Sequence, residues 1–297
     1  MGVAVIPSPG AHGGDGLAVA RALGLDPNDV VDLSMSLNPF APDVAAIAAR
    51  HVDAVGRYPD VRDATAALAD AIGVDGDRLV LTNGGSEAIS LVTAVLGGAV
   101  VAEPEFSLHP RQTVGPRWRS NPNNPTGRLA GSAETAGVWD EAFFPLATGT
   151  WTRGDRGAVV VGSLTKVFAC PGLRLGYVLA DDARRLTAAQ PAWPVGGIGV
   201  AVLPELLAGA DLAGWRDSIA VRRRELVELL AEHALAADAA DAPWVLVDAP
   251  GLRERLAPHG IVVRDCASFG LPGTVRIAVP DDRGLDRLEE VLTCTAR

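Results

Sequence analysis

Lysine is almost missing from this chain of 297 residues: Lys166 is the single lysine among 26 basic residues that are otherwise arginine. Cysteine is also rare, and Cys170, Cys266 and Cys294 are odd in number and show no CxxC spacing. This pattern predicts a reducing compartment and no metal site. No apolar run approaches the length of about 18 residues that a membrane helix requires, which argues against a membrane partner.

Basic residues are also fewer than acidic ones, 26 against 36. The formal net charge is −10 and the isoelectric point is about 5.0, which argues against nucleic acid or an anionic membrane surface as a partner. Anionic small molecules stay possible as substrates, because a local arginine pocket can override a negative surface. The amino terminus has no basic segment followed by an apolar core. We therefore expect no signal peptide and a soluble, cytoplasmic protein.

The apolar residues, with a 48% hydrophobic composition, predict one large domain and a smaller one. Runs without alternation are typical of strands buried on both faces of a parallel sheet, whereas spacing of three and four predicts helices. The predicted strands are 78–82, 100–102, 159–161, 244–247 and 275–279. The predicted helices are 17–23, 43–51, 61–72, one that starts at Glu87, 212–235 and 285–293. This order indicates an α/β portion followed by a smaller α+β portion.

The segment around the single lysine carries the most specific chemistry. A lysine that loses water is disfavoured in its charged form, and the neutral amine is a good nucleophile for Schiff-base chemistry. Ser163 and Arg174, three residues before Lys166 and eight after it, could bind a phosphate. The alternative is a lysine that snorkels from a strand end. The segment resembles the Schiff-base lysine motif of fold-type I pyridoxal-phosphate enzymes, in which Ser-x-x-Lys and a following arginine hold the aldehyde and the phosphate.

Two further segments suit the same cofactor. Gly85, Ser86 and Glu87 open a predicted helix, whose unpaired backbone N–H groups and dipole favour an anion. An ordinary capped helix would look the same. Phe106 follows the next apolar strand and could stack on a pyridine ring, although such a phenylalanine is more often part of the core.

Two polar residues could contact the ring of the cofactor. The loop Asn121–Gly127 can point the amide of Asn124 at a phenolate oxygen, or it can be a plain turn. Asp140 stands at a strand end and can keep a pyridine nitrogen protonated, which makes the ring an electron sink. The alternative for Asp140 and Glu141 is a solvated acidic pair.

These segments, in this order, resemble the class I and II aminotransferases over nearly the whole chain. The resemblance implies a fold-type I architecture with a mostly parallel central sheet, pyridoxal 5′-phosphate as the cofactor, and Lys166 and Asp140 as catalytic residues. It also places Arg276, on the run Val275–Val279, where the family carries the arginine for a substrate carboxylate. By itself, an arginine on a strand is usually a surface salt-bridge partner. We expect an arm at 1–40, a large cofactor domain at 41–200 and a small domain at 201–297.

The amino-terminal motifs narrow the resemblance. Segments 11–15 and 32–39, with His12 and Asn38 as candidate substrate contacts, resemble threonine-phosphate decarboxylases of cobalamin biosynthesis. Histidinol-phosphate aminotransferases share the Asn-Pro and the Arg-Tyr-Pro-Asp motif that contains Tyr58. In both groups this tyrosine reaches the cofactor phosphate of the neighbouring subunit, which implies a homodimer with shared sites. Phe143 stands where the aminotransferases mostly have a tyrosine.

These features lead us to predict a decarboxylase that converts threonine phosphate into aminopropanol phosphate. The first alternative is a class I or II aminotransferase such as histidinol-phosphate aminotransferase, and the second is a non-catalytic homologue. The substrate bond that stands perpendicular to the cofactor ring is the one that breaks. A perpendicular bond to the carboxylate gives decarboxylation, and a perpendicular C–H bond gives transamination. His12 could also be an ordinary histidine of a surface arm.

The chain departs from the family between Phe106 and Asp140. The family has a further strand or a crossover helix in each of the intervals 106–124 and 124–140, and these intervals are much shorter here. A parallel crossover needs about a dozen residues or more, and the glycines and serine between Gly127 and Val138 form helices poorly. We therefore predict a trimmed sheet that leaves a flank exposed, unless a larger dimer interface covers it.

Overall fold

Two β-sheets with surrounding helices organise the computed structural model, which describes residues 5–155 and 157–295. The strands are β1 (Val31–Leu33), β2 (Leu79–Asn83), β3 (Ala99–Val100), β4 (Arg117–Ser120), β5 (Val138–Asp140), β6 (Val159–Gly162), β7 (Leu175–Leu179), β8 (Ala237–Ala239), β9 (Trp244–Asp248), β10 (Ile261–Asp265) and β11 (Thr274–Ala278). The helices are α1 (Gly16–Leu23), α2 (Val44–Ala49), α3 (Arg62–Ile72), α4 (Gly84–Leu96), α5 (Phe144–Thr148), α6 (Leu164–Val167), α7 (Ala183–Ala189), α8 (Gly197–Ala208), α9 (Leu212–Glu232), α10 (Leu252–Leu256) and α11 (Asp282–Thr295).

The larger sheet has the strand order β2-β7-β6-β5-β4-β3. Strands β3 to β6 are parallel, and β7 is antiparallel to both of its neighbours. The prediction of a mostly parallel α/β sheet is therefore confirmed. Because parallel strands end at the same edge, the residues after Ser120, Asp140 and Gly162 meet there.

Helices cover both faces of this sheet. On one face, Leu68 of α3 and Leu203 of α8 share a buried cluster with Trp139 of β5. On the opposite face, Val92 of α4 packs in a second cluster with Trp118 of β4. This double burial explains why the strands read as continuous apolar runs in the sequence.

The smaller sheet has the order β1-β10-β11-β9-β8 and mixed pairing. Alternate residues of its strands, such as Val247 and Ile277, pack against Leu230 of α9 and Leu288 of α11. The intervening residues face the other way, toward the larger sheet. The segment 31–33, which we expected in an arm, adds a parallel strand to this sheet. The domain boundaries at residues 40 and 200 stay a prediction.

The predicted shortening of the larger sheet is confirmed by the connections at its β3 edge. Neither 101–116 nor 121–137 contains a helix, and β3 has only two residues. Part of this edge is covered by the chain itself, because Gln112 N–H donates to the Gly98 carbonyl at 2.9 Å. Val101 and Val114 remain exposed on this flank.

Most predicted elements lie within three residues of their observed positions. The clearest correction is α4, which begins at Gly84 and not at Glu87, because glycines that form poor helix interiors are tolerated in a first turn. The sequence patterns also missed the strands β1, β4, β7, β8 and β10 and the helices α5 to α8 and α10. Within the described residues, no single helix is long and apolar enough to cross a membrane. Taken together, α8 and α9 are long and apolar enough by length and composition only, and an angle of 85° separates the two helices.

Candidate active site

A cradle for an anion lies at the start of α4. Arg174 donates from Nη2 to the hydroxyl of Ser86 at 3.0 Å. Ser163 lies directly behind Gly85, since a Cβ on this glycine would be 3.7 Å from the Ser163 hydroxyl. Free N–H groups of the helix start, two hydroxyls and a guanidinium therefore converge on one point. Such a set binds a phosphate group.

The backbone of this cradle includes one residue with a strained φ and one position where two segments approach closely. Arg174 has a φ of +55°, in the left-handed region that side chains rarely adopt. Two residues on, a Cβ at Gly176 would lie 2.5 Å from the backbone of Gly84, so β7 can approach α4 only with glycine there. Strain of this kind concentrates at functional sites, where the surrounding structure holds it in place.

Lys166 lies on α6, directly after β6, and is partly buried. Its ammonium is 5.6 Å from the centre of the Phe143 ring. Burial, followed by the nearby charges of Arg276 and Arg174, lowers the pKa of Lys166 to about 8. The side chain is thus a partly deprotonated amine in a polar site and not a lysine that snorkels into solvent.

Asp140 ends β5 and is buried rather than solvated. Its Oδ1 accepts from the Ala142 N–H at 3.0 Å, and its Oδ2 lies 2.8 Å from Nε2 of His109. The other imidazole nitrogen, Nδ1, is 3.5 Å from the carboxylate of Glu105. Burial alone would lower the pKa of His109, but hydrogen bonds and charge from Asp140 and Glu105 raise it to about 9.

Adjacent Glu141 is also buried, and it faces a different environment. Its carboxylate accepts from the backbone N–H of Arg153 at 3.2 and 3.3 Å. Burial raises its pKa to about 7. The two neighbouring carboxylates therefore have separate roles, and only Asp140 lies among the site residues.

Asn124 and Arg276 meet inside the site although they come from different sheets. Arg276 donates from Nη1 to the amide oxygen of Asn124 at 2.6 Å, and its guanidinium lies 4.8 Å from the Trp244 ring. Burial lowers the pKa of Arg276 to about 10. Arg276 is therefore a buried cation that faces the site and not a surface salt-bridge partner.

A second buried arginine lies beside the first. Arg264 and Arg276 are directly opposite each other on β10 and β11, so their side chains share one face of the sheet. Arg264 donates to the carbonyl groups of Gly10 and Ala11, and so fixes the segment that carries His12. His12 in turn lies 3.4 Å from the Ser107 hydroxyl, and its ring is 5.8 Å from that of Phe106.

The structure gives three of the predicted site residues other surroundings. The carboxylate of Glu87 turns back to the backbone N–H of Asn83, and so caps α4. The amide of Asn38 is engaged by the backbone, since it donates to Val167 O at 2.9 Å and accepts from Phe40 N–H at 3.0 Å. Asn38 thereby anchors the chain next to Lys166, and its substrate contact stays a prediction.

Tyr58 is the third of these residues. It is 76% exposed, and its ring stacks on that of Trp193 with 4.4 Å between centroids. It has no contact with the other site residues of its own chain among the interactions described above. A role in the site of a neighbouring subunit stays a prediction.

Sequence reasoning missed three members of the site: Glu105, His109 and Arg264. The position of His109, three residues after Phe106 in a chain with only five histidines, was a weak signal. Arg264 could be found only from the register of β10 against β11. Glu105 gave no signal, because burial of a carboxylate at the start of a loop has no pattern in the sequence.

With this geometry in place, comparison with known proteins defines the class. The family model for aminotransferases of class I and II matches residues 118–292, and the chain belongs to this family. The chain is 30% identical to histidinol-phosphate aminotransferase 2 of Archaeoglobus fulgidus, over 91% of this chain and 95% of that protein. That alignment runs over 327 positions, more than this chain has residues, so the relative contains segments that are missing here.

Two solved structures share the fold. The histidinol-phosphate aminotransferase of Sinorhizobium meliloti, in complex with pyridoxal-5′-phosphate, has a TM-score of 0.79 and 18% identity and covers 99% of this chain and 95% of its own. L-threonine-O-3-phosphate decarboxylase of Porphyromonas gingivalis has a TM-score of 0.76 and 19% identity, over 88% of this chain and 98% of its own. The expected fold-type I architecture is confirmed.

Proposed function

We propose that this protein is a pyridoxal-phosphate-dependent aminotransferase for a phosphorylated amine, of the histidinol-phosphate type. The observation that carries the proposal is the convergence of an amine, a phosphate cradle and a buried carboxylate at one sheet edge. Lys166 and Arg174 come from one short segment of the chain, and the fold brings Asp140 of β5 and the start of α4 to the same edge. A non-catalytic homologue would have no use for this convergence.

The residues present fit the cofactor. Gly85, Ser86, Ser163 and Arg174 would hold its phosphate, since Arg174 and Ser86 are already hydrogen-bonded at the start of α4 and Ser163 lies beside Gly85. Asp140 would accept a hydrogen bond from the ring nitrogen. Asn124 would donate to the ring oxygen, Phe106 would stack on the ring, and Lys166 would bind the aldehyde carbon.

The bound cofactor supplies an electron sink for the bond that breaks at the substrate carbon next to the amine. The protein residues then have distinct tasks. Asp140 would hold a proton on the ring nitrogen, and His109 lies directly behind this carboxylate, with Nε2 at 2.8 Å from Oδ2. Lys166 takes and returns the proton at the substrate carbon, for which a pKa of about 8 is well matched near neutral pH.

The two paired arginines support a phosphorylated or otherwise dianionic substrate. Arg276 contacts Asn124 in the site, whereas Arg264 beside it is buried and fixes the segment of His12. Two cations side by side repel each other unless an anion lies between or beside them. A substrate phosphate, and the carboxylates of an amino-group acceptor in the second half-reaction, would fill this role.

The curated relatives favour the aminotransferase, our first alternative, over the decarboxylase predicted from the sequence, because histidinol-phosphate aminotransferases align over about nine-tenths of the chain. Two observations keep threonine-phosphate decarboxylase as a second candidate. His12 lies against Phe106 at the site, and Phe143 offers no hydroxyl to the cofactor.

A paired assay separates these functions. The purified protein is incubated with histidinol phosphate and 2-oxoglutarate, with glutamate as the readout, and separately with threonine phosphate, with carbon dioxide as the readout. Glutamate alone supports the proposal, whereas carbon dioxide alone supports the decarboxylase and overturns it. A protein that takes up no pyridoxal phosphate and forms neither product is the non-catalytic homologue.

We also propose a homodimer with shared sites. The exposed pair Tyr58 and Trp193 supports this, because two large aromatic rings on a surface are typical of an interface. Sedimentation of the protein tests the dimer. If Tyr58 serves the partner's site, Tyr58→Phe should weaken cofactor binding without dissociating the dimer, and a monomeric wild-type protein would contradict the proposal.

A further inference from the structure

A buried chain of hydrogen-bonding groups connects Asn124 with Asp140. The Asn124 N–H donates to the Ser120 hydroxyl at 2.8 Å, and this hydroxyl donates to Glu105 Oε2. The same carboxylate oxygen faces Nδ1 of His109, whose Nε2 reaches Asp140. The Glu105 and His109 side chains are 1% and 0% exposed.

The hydrogen bonds around Glu105 favour its ionised form. The Ser120 N–H lies 3.0 and 3.2 Å from the two carboxylate oxygens. The Ser120 hydroxyl uses a lone pair to accept from Asn124, so its own proton is available for Glu105. Glu105 therefore accepts from both the N–H and the hydroxyl of Ser120, and the other group that faces its carboxylate among the described residues is Nδ1 of His109. An acceptor-only carboxylate is the ionised form.

The charge of His109 follows from its two neighbours. Nε2 must donate to Asp140, because an ionised carboxylate only accepts. If Glu105 is ionised too, Nδ1 must carry a proton, since two lone pairs facing each other in a buried site would repel. Trp118 and Phe106 pack on the ring. The other charged groups near this histidine are Arg111, which donates from Nη1 to the His109 backbone carbonyl at 2.6 Å, and Glu103, which is paired with Arg111.

We propose that Glu105 is a positioning residue that keeps His109 doubly protonated, so that the imidazolium holds Asp140 ionised and aimed at the cofactor ring nitrogen. The inference rests on the proposed function for the role of Asp140. It concerns a residue that never touches the cofactor. The raised pKa of His109 agrees with it. The opposite arrangement, a neutral imidazole beside a protonated Glu105, has the same heavy atoms and is the alternative to exclude.

Nitrogen-15 NMR of the imidazoles in the cofactor-free protein tests the proposal directly. The His109 signals are assigned with a His109→Gln variant, and the pH is varied from 6 to 10. In the wild type we expect both ring nitrogens to be protonated at pH 7 and the titration midpoint to lie about 9. In Glu105→Gln, the amide donates to Nδ1, so the midpoint should fall toward the ordinary 6.5.

Glu103→Gln is the matched control, because the Glu103 carboxylate lies two residues away and contacts Arg111 and the Glu105 N–H, not the imidazole of His109. It should leave the midpoint of His109 almost unchanged. A wild-type His109 that is neutral at pH 7 would overturn the proposal, as would a Glu105→Gln protein with an unchanged midpoint. If Glu105→Gln does not fold, the wild-type titration decides alone, since the opposite arrangement predicts a neutral ring.

Binding of pyridoxal phosphate provides the second readout. Glu105→Gln should weaken it by about three- to tenfold, whereas Glu103→Gln should not. A protein that shows the expected His109 titration but takes up no pyridoxal phosphate refutes the proposed function and leaves the proton assignment intact. An unchanged affinity together with a shifted His109 titration confines Glu105 to a proton-holding role without an effect on the cofactor, and overturns its positioning role.

Discussion

The larger sheet has a helix-bearing side, residues 79–96 and 159–179, and a loop side, residues 97–140, and the two build their halves of the site by different means. On the helix-bearing side, α4, α6 and β7 fix the phosphate cradle and Lys166. On the loop side, connections without helices carry Phe106, His109 and Asn124. Crossover helices are thus dispensable where buried side chains can hold the loops.

The loop side replaces helix packing with polar contacts and one large aromatic. Glu105 binds the end of β4, Asn123 donates to Pro104 O at 3.0 Å, and Trp118 is fully buried between the layers. Side chains that contact a cofactor ring must be held in one orientation, and this network of hydrogen bonds holds them. A covalent attachment point and a phosphate site need rigidity, which the helices provide. The following predictions test this division, from the largest expected effect to the smallest.

Lys166→Ala should have the largest effect. We expect loss of the near-ultraviolet or visible absorption band of the bound cofactor and a fall in turnover by at least about 10³-fold, because both the attachment point and the proton carrier are lost. Absorbance and steady-state assays measure this. Lys166→Arg, which keeps the charge without a nucleophilic amine, should be equally inactive. A variant that retains turnover would remove Lys166 from the mechanism.

Cofactor capture should depend strongly on pH because of Lys166. Its pKa is about 8, and the protonated amine, which dominates below this pH, is not a nucleophile. The capture rate should rise about tenfold per pH unit up to pH 8 and then level off. Stopped-flow absorbance follows it, with a free lysine derivative, of pKa near 10.5, as the control. A rate that keeps rising to pH 10 would show that burial does not lower this pKa.

Arg174→Ala tests the cradle. The loss of one charged hydrogen-bond donor costs about 1.5–3 kcal/mol, which corresponds to an affinity for pyridoxal phosphate reduced by about 10- to 100-fold. Fluorescence or equilibrium dialysis measures the affinity. Arg185→Ala on α7, where the side chain contacts only Val95 O, is the matched control. Equal affinities of both variants would place the phosphate elsewhere.

Trp118→Phe tests how the loop side is held. Its indole donates to Gly97 O at 3.0 Å, and we expect the free energy of unfolding to fall by about 1–3 kcal/mol through the lost hydrogen bond and volume. Denaturant unfolding measures it. Trp151→Phe, at a partly buried position without an indole hydrogen bond among the described contacts, should cost less. If the order is reversed, Trp118 is not the anchor of this side.

The two sides also differ in how far the sequence could predict them. On the helix-bearing side, β2, α4 and β6 were predicted within three residues, whereas α6 and β7 were not. The roles of Ser163, Lys166 and Arg174 stay a prediction, whose signal is their spacing within one short segment. The shortening of the loop side was predicted from its length. Its buried Glu105 was not, because two segments far apart in the sequence surround that carboxylate, and no local pattern records them. Arg264 likewise acquires its place through strand pairing.

The near absence of lysine has a practical consequence. The candidate site holds the only ε-amino group of the chain, so reagents that modify such amines have one side-chain target. Borohydride reduction in the presence of an aldehyde would mark a single internal peptide, and its mass would report occupancy without any knowledge of the substrate. Because its other basic side chains are arginine, this protein can be labelled at one side-chain amine, that of Lys166.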